Sequence, residues 1–280
     1  MNFENINQRP LSLIDKNAEK IVKEKEEYRI LEDSFHDIYE DSEIESDKKY
    51  VLEMKKKFRE NETRESEKTK TIANAIEIII NDQIELADWL GEETYTYQTS
   101  EYDDIRNGID AVLEFINEDE ENNQTFLGIA FDITYKNDVA KKFLRIKKEI
   151  DEHKNKGIKY FQSENTDYKG PIENIPRLVI GLDIKSGEEL IELYCENRNK
   201  ELSKHFFQFE LIDELLYQLD IFIKYSEKVK NKEALTSYEE IKEKILKIKK
   251  EKESLKTEDR DYRNSYFYNF CGICEDIFIE

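Results

Sequence analysis

Alternating apolar and polar positions predict a β-hairpin near the middle of the chain. Segments 108–115 and 126–134 each place apolar residues at every second position, which is the pattern of a strand with one face buried. The stretch between them is polar and predicts a loop. If the hairpin closes symmetrically about Glu121, then Asp110 of the first strand lies directly opposite Asp132 of the second.

These two aspartates are the first candidate for chemistry. Directly opposed side chains in an antiparallel pair have their Cβ atoms about 4.5–5.5 Å apart. Two carboxylates at that distance repel each other unless a proton or a cation lies between them. Mg²⁺ is bound through one or two carboxylates, with water completing its coordination. The pattern therefore predicts Asp110 and Asp132 as metal ligands and Mg²⁺ as the cofactor.

Helical periodicity and apolar runs flank the hairpin. Apolar residues at helical spacing predict a helix over 71–90, with Gly91 as its C-terminal stop, and a second helix over 137–154. Two apolar runs, 157–161 and 177–184, predict further strands. The resulting order is helix, strand, strand, helix, strand, strand.

We therefore predict an α/β (α+β) fold: a small mixed β-sheet core flanked by helices, with helical additions at both ends. Residues 1–70 form a helical N-terminal region with a fraying patch over 60–70, and residues 71–185 form the α/β core. Residues 186–280 form a helical C-terminal region that ends in a CxxC tail. Within that last region the periodicity predicts helices over 187–198, 206–228 and 238–255.

Composition excludes several classes of protein. The 280 residues carry a formal net charge of −21, which argues against a general nucleic-acid coating protein because such a protein needs a basic face. The N-terminus lacks a signal-peptide pattern, and no apolar run approaches the roughly 18 residues needed to span a bilayer. We expect a cytoplasmic protein that does not contact membranes. Three cysteines make no disulfide framework. Cys271 and Cys274 are half a zinc site, a redox pair or, the reading we favour, a reduced buried pair without a role.

Charge is distributed unevenly across the predicted core. Residues 71–136 contain sixteen Asp and Glu against one Arg and one Lys, whereas residues 137–170 contain six acidic and nine basic residues. An acidic hairpin followed by a basic helix suits a metal-dependent phosphodiesterase, because carboxylates hold the ion and lysines meet the phosphate. The competing interpretation is that Lys141, Lys142 and their neighbours form only the solvated face of an amphipathic helix.

With these residues in place, the region resembles the PD-(D/E)xK nuclease-like superfamily. The resemblance covers about 115 residues and implies a helix–strand–strand–strand–helix–strand core with the active site on a hairpin. The two acidic residues of the superfamily's motif match Asp110 and Asp132. The helix before the hairpin often supplies a further Glu, and Glu77 matches because it lies on the apolar stripe of the predicted helix over 71–90.

The chain departs from that motif at one position. The motif lysine belongs two residues after Asp132, where this sequence has Thr134. Lys136, Lys141 and Lys142 are the candidates to replace it.

Two functional hypotheses follow. In the first, the protein is a metal-dependent phosphodiesterase acting on nucleic acid, with Glu77, Asp110, Asp132 and one of the three lysines at the active site. In the second, the same fold is not catalytic, and its acidic surface binds a basic protein partner or mimics nucleic acid. The displaced lysine favours the second hypothesis, and the paired acids favour the first.

Overall fold

The computed structural model describes residues 12–25, 29–60, 63–116, 124–132, 139–154, 157–253 and 265–279. The helices in these ranges are α1 Leu13–Lys25, α2 Asp41–Glu60, α3 Arg64–Leu86, α4 Glu101–Asn107, α5 Val139–Asp151, α6 Ile184–Cys195, α7 Asn199–Leu202, α8 Phe207–Lys228, α9 Lys232–Lys252 and α10 Ser265–Ile279. The strands are β1 Thr94–Gln98, β2 Ala111–Ile116, β3 Gln124–Asp132, β4 Ile158–Gln162, β5 Lys169–Ile172 and β6 Arg177–Gly181. A short 3₁₀ helix, Glu32–Phe35, precedes α2.

A four-stranded mixed sheet lies at the centre, with the strand order β1-β2-β3-β6. The first three strands form an antiparallel meander, and β6 pairs with β3 in parallel. Helix α3 precedes this sheet in the chain, and α5 lies between β3 and β6. The antiparallel hairpin β4–β5 is inserted between α5 and β6. The predicted fold class is confirmed: the fold is α+β, a small mixed sheet flanked by helices.

The predicted hairpin exists as β2 and β3, but with a different register. Ala111 pairs with Ile129, and the Asp110 N–H donates to the Ile129 carbonyl over 2.8 Å. Continuing this register places Asp110 beside Ala130, so the predicted direct opposition of Asp110 and Asp132 is wrong by two residues. Because an even shift preserves which residues alternate along each strand, the predicted alternation is kept.

Strand β2 is buried on both faces, which corrects the expectation of a half-buried strand. Leu113 packs into the main core, whereas Val112 belongs to a second apolar cluster with Phe161 of β4. On the same face as Val112, the fully buried Glu114 accepts hydrogen bonds from the Tyr97 and Ser163 hydroxyls, each over 2.8 Å. The alternation along β2 could not reveal that its second face is also buried. The residues that cover this face, such as Phe161 and Ser163, belong to a distant part of the chain.

Several element boundaries also differ from the sequence pattern. The helix expected over 71–90 is α3, which begins at Arg64 because the Thr63 hydroxyl caps it by accepting from the Ser66 N–H. Most of the patch over 60–70 is therefore helical, and Gly91 lies beyond the end of α3 rather than at it. The other predicted helices and strands are present with shifted ends. The sequence pattern did not predict β1, α4 and β5, which have four to seven residues each.

Helix side chains bond both outer edges of the four-stranded sheet. The Gln218 side chain of α8 accepts from the Val179 N–H over 2.8 Å and donates to the Val179 carbonyl over 2.7 Å. At the other edge, the Thr96 N–H donates to the Glu85 carboxylate of α3 over 2.9 Å. An open strand edge exposes unpaired backbone groups, so these bonds satisfy the edges and fix α8 and α3 against them. None of the helices in the described ranges is long and apolar enough to cross a membrane.

A buried ion pair connects the sheet to the helices around it. The Arg177 guanidinium of β6 donates to the Glu149 carboxylate of α5 over 2.6 Å, and both side chains are more than nine-tenths buried. The same guanidinium donates to the carbonyls of Asn107 and Gly108 over 2.8 and 3.1 Å. Gly108 ends α4 with a left-handed backbone (φ +66°), a conformation that glycine adopts at low cost. Arg177 therefore joins β6, α5 and the end of α4.

We predict that Arg177→Met lowers the free energy of unfolding by about 3–5 kcal/mol, because it removes the cation that lies 2.6 Å from the buried Glu149 carboxylate and leaves the longer, 3.9 Å contact with Arg145. Urea unfolding measures this loss. The double variant Arg177→Met/Glu149→Leu should lose less than the sum of the two single variants, since it removes both charges. Additive losses, within about 0.5 kcal/mol, would contradict the coupling.

Candidate functional site

Three carboxyl groups from three different elements approach one another at the N-terminal end of β2. They are Glu77 of α3, Asp104 of α4 and Asp110, which immediately precedes β2, and each is close enough to affect the ionisation of another. Two cations, Arg29 and Lys142, adjoin them. We call these five residues the acidic site. Two of its carboxyl groups and one of its cations, Glu77, Asp110 and Lys142, were predicted from the sequence.

The main chain holds Asp110 in place on both sides. Its N–H donates to the Ile129 carbonyl over 2.8 Å, and its own carbonyl accepts from the Thr99 N–H over 3.2 Å. The Asp110 carboxylate reaches across to β3, where Oδ2 accepts from the Phe131 N–H over 2.7 Å. The Asp110 carboxyl group also shares a side-chain hydrogen bond with Asp104, which contributes to the raised pKa of Asp104. Lys142 Nζ lies 3.9 Å from Oδ2.

Glu77 lies half-buried on α3, on the apolar stripe that the sequence indicated. Burial raises the pKa of Glu77 well above its ordinary value, and the neighbouring Asp110 raises it further. Lys142 and Arg29 act in the opposite direction but do not outweigh burial. A proton or an added cation therefore stabilises this group in the folded protein.

Asp104 is a site residue that the sequence pattern did not single out. Burial, followed by the charge of Asp110, raises the pKa of Asp104 to about 7, against the lowering effect of Arg29. Arg29 lies 3.3 Å from Asp104 Oδ2. The side chains still expose part of their surface to solvent, 34% for Asp104 and 22% for Asp110. Both aspartate carboxyl groups are therefore partly accessible to a solute.

The adjacent residues Asp103 and Asp104 of α4 have different structural roles. Asp103 is fully buried and accepts from the N–H groups of Lys159 and Tyr160 over 2.8 and 3.0 Å, so it anchors β4. Asp104 instead faces the acidic site. Ser100 caps the helix by accepting from the Asp103 N–H over 3.1 Å. A Ser-x-x-Asp capping pattern over 100–103 was the sequence signal that could have located α4 and, with it, Asp104.

The remaining predicted residues have different outcomes. Lys142 is the lysine nearest to Asp110, whereas Lys141 is exposed on α5. Lys136 lies outside the described residues. Asp132 is the last residue of β3, and its backbone pairs with Gly181 of β6. Its side chain lies outside the part of the chain that the structure describes, so its role at the site stays a prediction.

The chemistry of these donors suits a hard divalent cation such as Mg²⁺, because the carboxylates offer oxygen ligands and no sulfur or imidazole. Among the side chains that the structure describes, no three His, Cys, Asp or Glu residues are arranged as a group that could hold a metal ion. The Mg²⁺ assignment stays a prediction.

The CxxC motif lies on α10. Cys271 and Cys274 are buried, and neither forms a disulfide. Burial raises the pKa of the Cys274 thiol well above its ordinary value. A thiol in that state is a poor nucleophile and a poor metal ligand, which favours the interpretation of a reduced, buried pair.

Comparison with known proteins gives no further guide to the site. No protein-family model matches the chain, and neither a curated protein nor a solved structure matches it.

The raised pKa of Asp104 predicts a specific dependence of stability on pH. The folded state holds the Asp104 proton up to about pH 7, whereas the unfolded chain releases it near pH 4. The folded state therefore binds more protons between these values, and this group makes stability fall as pH rises from about 4 to about 7. We expect the stability of Asp104→Asn, measured relative to the wild type, to increase as pH rises across that interval.

Urea midpoints at pH 4.5, 6 and 8 measure this trend. Absolute stability is not the criterion, because the substitution also removes the ionic partner of Arg29. Glu239→Gln is the matched control, since it removes one exposed carboxyl group from α9. Parallel pH profiles for Asp104→Asn and the wild type would contradict the assignment.

Proposed function

We propose that this protein is a metal-dependent phosphodiesterase that acts on nucleic acid. The observation that carries the proposal is the meeting of Glu77, Asp104 and Asp110 with Lys142 at the start of the β2–β3 hairpin. The order of elements supports it: with α4 and the inserted β4–β5 hairpin left out, α3, β1, β2, β3, α5 and β6 follow the helix–strand–strand–strand–helix–strand order that the resemblance to PD-(D/E)xK nucleases implies.

Each residue has a role in this proposal. Asp110 and Asp132 would hold Mg²⁺ with the assistance of Glu77, and the bound ion would supply Lewis-acid chemistry for the phosphate and for the attacking water. Lys142 compensates the negative charge that develops on the phosphate. Asp104 accepts the proton of the attacking water, since a group with a pKa of about 7 exchanges protons readily at neutral pH. Water attacks phosphorus, a P–O bond breaks, and the leaving oxygen takes up a proton.

Cleavage assays on single-stranded and duplex DNA and RNA, with Mg²⁺ or with EDTA, test the proposal. We expect Mg²⁺-dependent cleavage that Asp110→Asn and Glu77→Gln each reduce by at least about 100-fold. Glu85→Gln is the matched control, because Glu85 lies on the same helix as Glu77 but bonds the edge of β1. Cleavage that survives Asp110→Asn would show that it comes from a contaminant or from another site.

Thermal melting gives a second readout that does not depend on turnover. An ion that binds only the folded state stabilises it in proportion to the logarithm of its concentration, by about 2.7 kcal/mol at 100 times its Kd. We expect Mg²⁺ to raise the wild-type melting temperature and to raise that of Asp110→Asn much less. If Mg²⁺ shifts neither curve, the acidic site binds no metal and the enzyme proposal is rejected.

The second candidate is an interaction protein that uses the same fold without catalysis. It is favoured by the net charge of −21, by Thr134 at the motif lysine position and by the lack of a described three-ligand group. In this case the acidic surface binds a basic protein partner through charge complementarity. The absence of both cleavage and a Mg²⁺-induced shift in melting temperature, together with salt-sensitive binding of a basic protein, would select this candidate.

A further inference from the structure

A cleft of about 730 Å³ opens beside the acidic site. Two tyrosines line it, together with several cations from α4 and α5 and the loop that follows α5. We call it the tyrosine cleft and define it by Tyr50, Tyr102, Arg106, Arg145 and Lys148. None of the five has a role in the proposed hydrolysis.

The same two helices line the cleft and the acidic site. In α4, Asp104 faces the acidic site, and Arg106, two residues later and therefore on a different side of the helix, lines the cleft. In α5, Lys142 and Arg145 are neighbours on the helix surface, as are Arg145 and Lys148, so the three cations follow one another around about a third of a turn. Six residues of helix span about 9 Å. The row therefore leads from Asp110, where Lys142 lies, into the cleft.

Two tyrosine rings and an arginine side chain lie against one another in the tyrosine cleft. The Arg106 guanidinium lies 5.2 Å from the centre of the Tyr50 ring, and the Tyr50 and Tyr102 rings are 6.0 Å apart at an angle of 67°. Tyr50 is half-buried, so part of its side chain is exposed to solvent in the cleft. Open aromatic faces flanked by arginine are the surfaces on which single-stranded bases stack.

The charge of the cleft differs from that of the whole chain, which carries −21. Of the three carboxylates in its lining, Glu149 is bound to the buried Arg177. Glu152 and Glu173 are exposed, and the ion pair from Glu152 to Lys148 spans 3.6 Å of solvated surface, where such pairs are weak. A phosphate backbone can therefore displace the pair between Lys148 and Glu152 and meet Lys148 and Lys154. Arg145 contributes positive charge to the cleft while its guanidinium donates to the Arg106 carbonyl over 3.0 Å and lies 3.9 Å from Glu149.

We propose that the tyrosine cleft binds a single-stranded segment of nucleic acid next to the bond that is cut. The inference rests on the proposed function for the position of that bond. A volume of about 730 Å³ is the size of a small-molecule site. It accommodates the unpaired bases of a short single strand, which can stack on tyrosine rings, whereas the bases of a duplex are already paired and stacked on one another. The sugar–phosphate chemistry is shared by DNA and RNA.

Fluorescence anisotropy of labelled dT10 and rU10 tests the inference, with EDTA present so that no cleavage occurs. We expect binding by the wild type at low salt, and binding weakened at least 10-fold by Lys148→Glu/Lys154→Glu. Tyr50→Ala should weaken it about 5- to 100-fold through lost stacking. Lys247→Glu/Lys250→Glu is the matched control, because it makes the same charge change on exposed positions of α9. Circular dichroism and urea midpoints establish that each variant is folded.

Four results would overturn the inference: no binding of either oligonucleotide, equal weakening by both double variants, equally tight binding of a duplex, or equal competition by polyglutamate. A preference for dT10 or rU10 identifies the sugar and supports the inference. Failure of the inference and failure of the proposed function are distinguishable. Cleavage that depends on Asp110 but not on the cleft variants rejects the cleft alone. Cleft-dependent binding without Mg²⁺-dependent cleavage rejects the enzyme alone.

Discussion

The arrangement of this molecule depends on the interactions of the buried Arg177 guanidinium. It lies at the first residue of β6, in the interior, and it bonds the Glu149 carboxylate and the two carbonyls that end α4. An unpaired charge is costly in such a place, so β6, α5 and α4 cannot separate without leaving charges or carbonyls unsatisfied. Asp104 lies on α4 and Lys142 on α5. The distance between the functional side chains is therefore set by an ion pair that does no chemistry itself.

The Arg177 ion pair stabilises the folded protein, whereas the clustered carboxyl groups of the acidic site destabilise it when they are ionised. Carboxyl groups are brought together in a half-buried place, where burial and mutual repulsion raise the pKa values of Glu77 and Asp104. Arg29 and Lys142 offset part of this cost. Without another cation the site favours protonation, which is a general property of like charges gathered for function. Binding of a divalent ion would release those protons, so ion affinity and pH are coupled.

The four-stranded sheet supports both the acidic site and the tyrosine cleft. Helix side chains satisfy its outer edges through Gln218 and Glu85, and the β4–β5 hairpin covers the face of β2 that the helices leave open. The same insertion also contributes to the tyrosine cleft, whose lining includes residues of β4 and β5 beside those of α4 and α5. The acidic site and the cleft are therefore consequences of one arrangement: a meander with helices on one side and a small hairpin on the other.

The sequence by itself determined the elements whose signal is local. Alternation located β2 and β3, and helical periodicity located α3 with Glu77 on its apolar stripe, because residues close in sequence share these patterns. The register of the hairpin, the second buried face of β2 and the approach of Arg29 to Asp104 depended on the tertiary structure. Arg29 and Asp104 are 75 residues apart, and no local pattern encodes which distant charges meet. Those meetings are decided when the core packs, since the lowest-energy packing of the helices on the sheet fixes which side chains face one another.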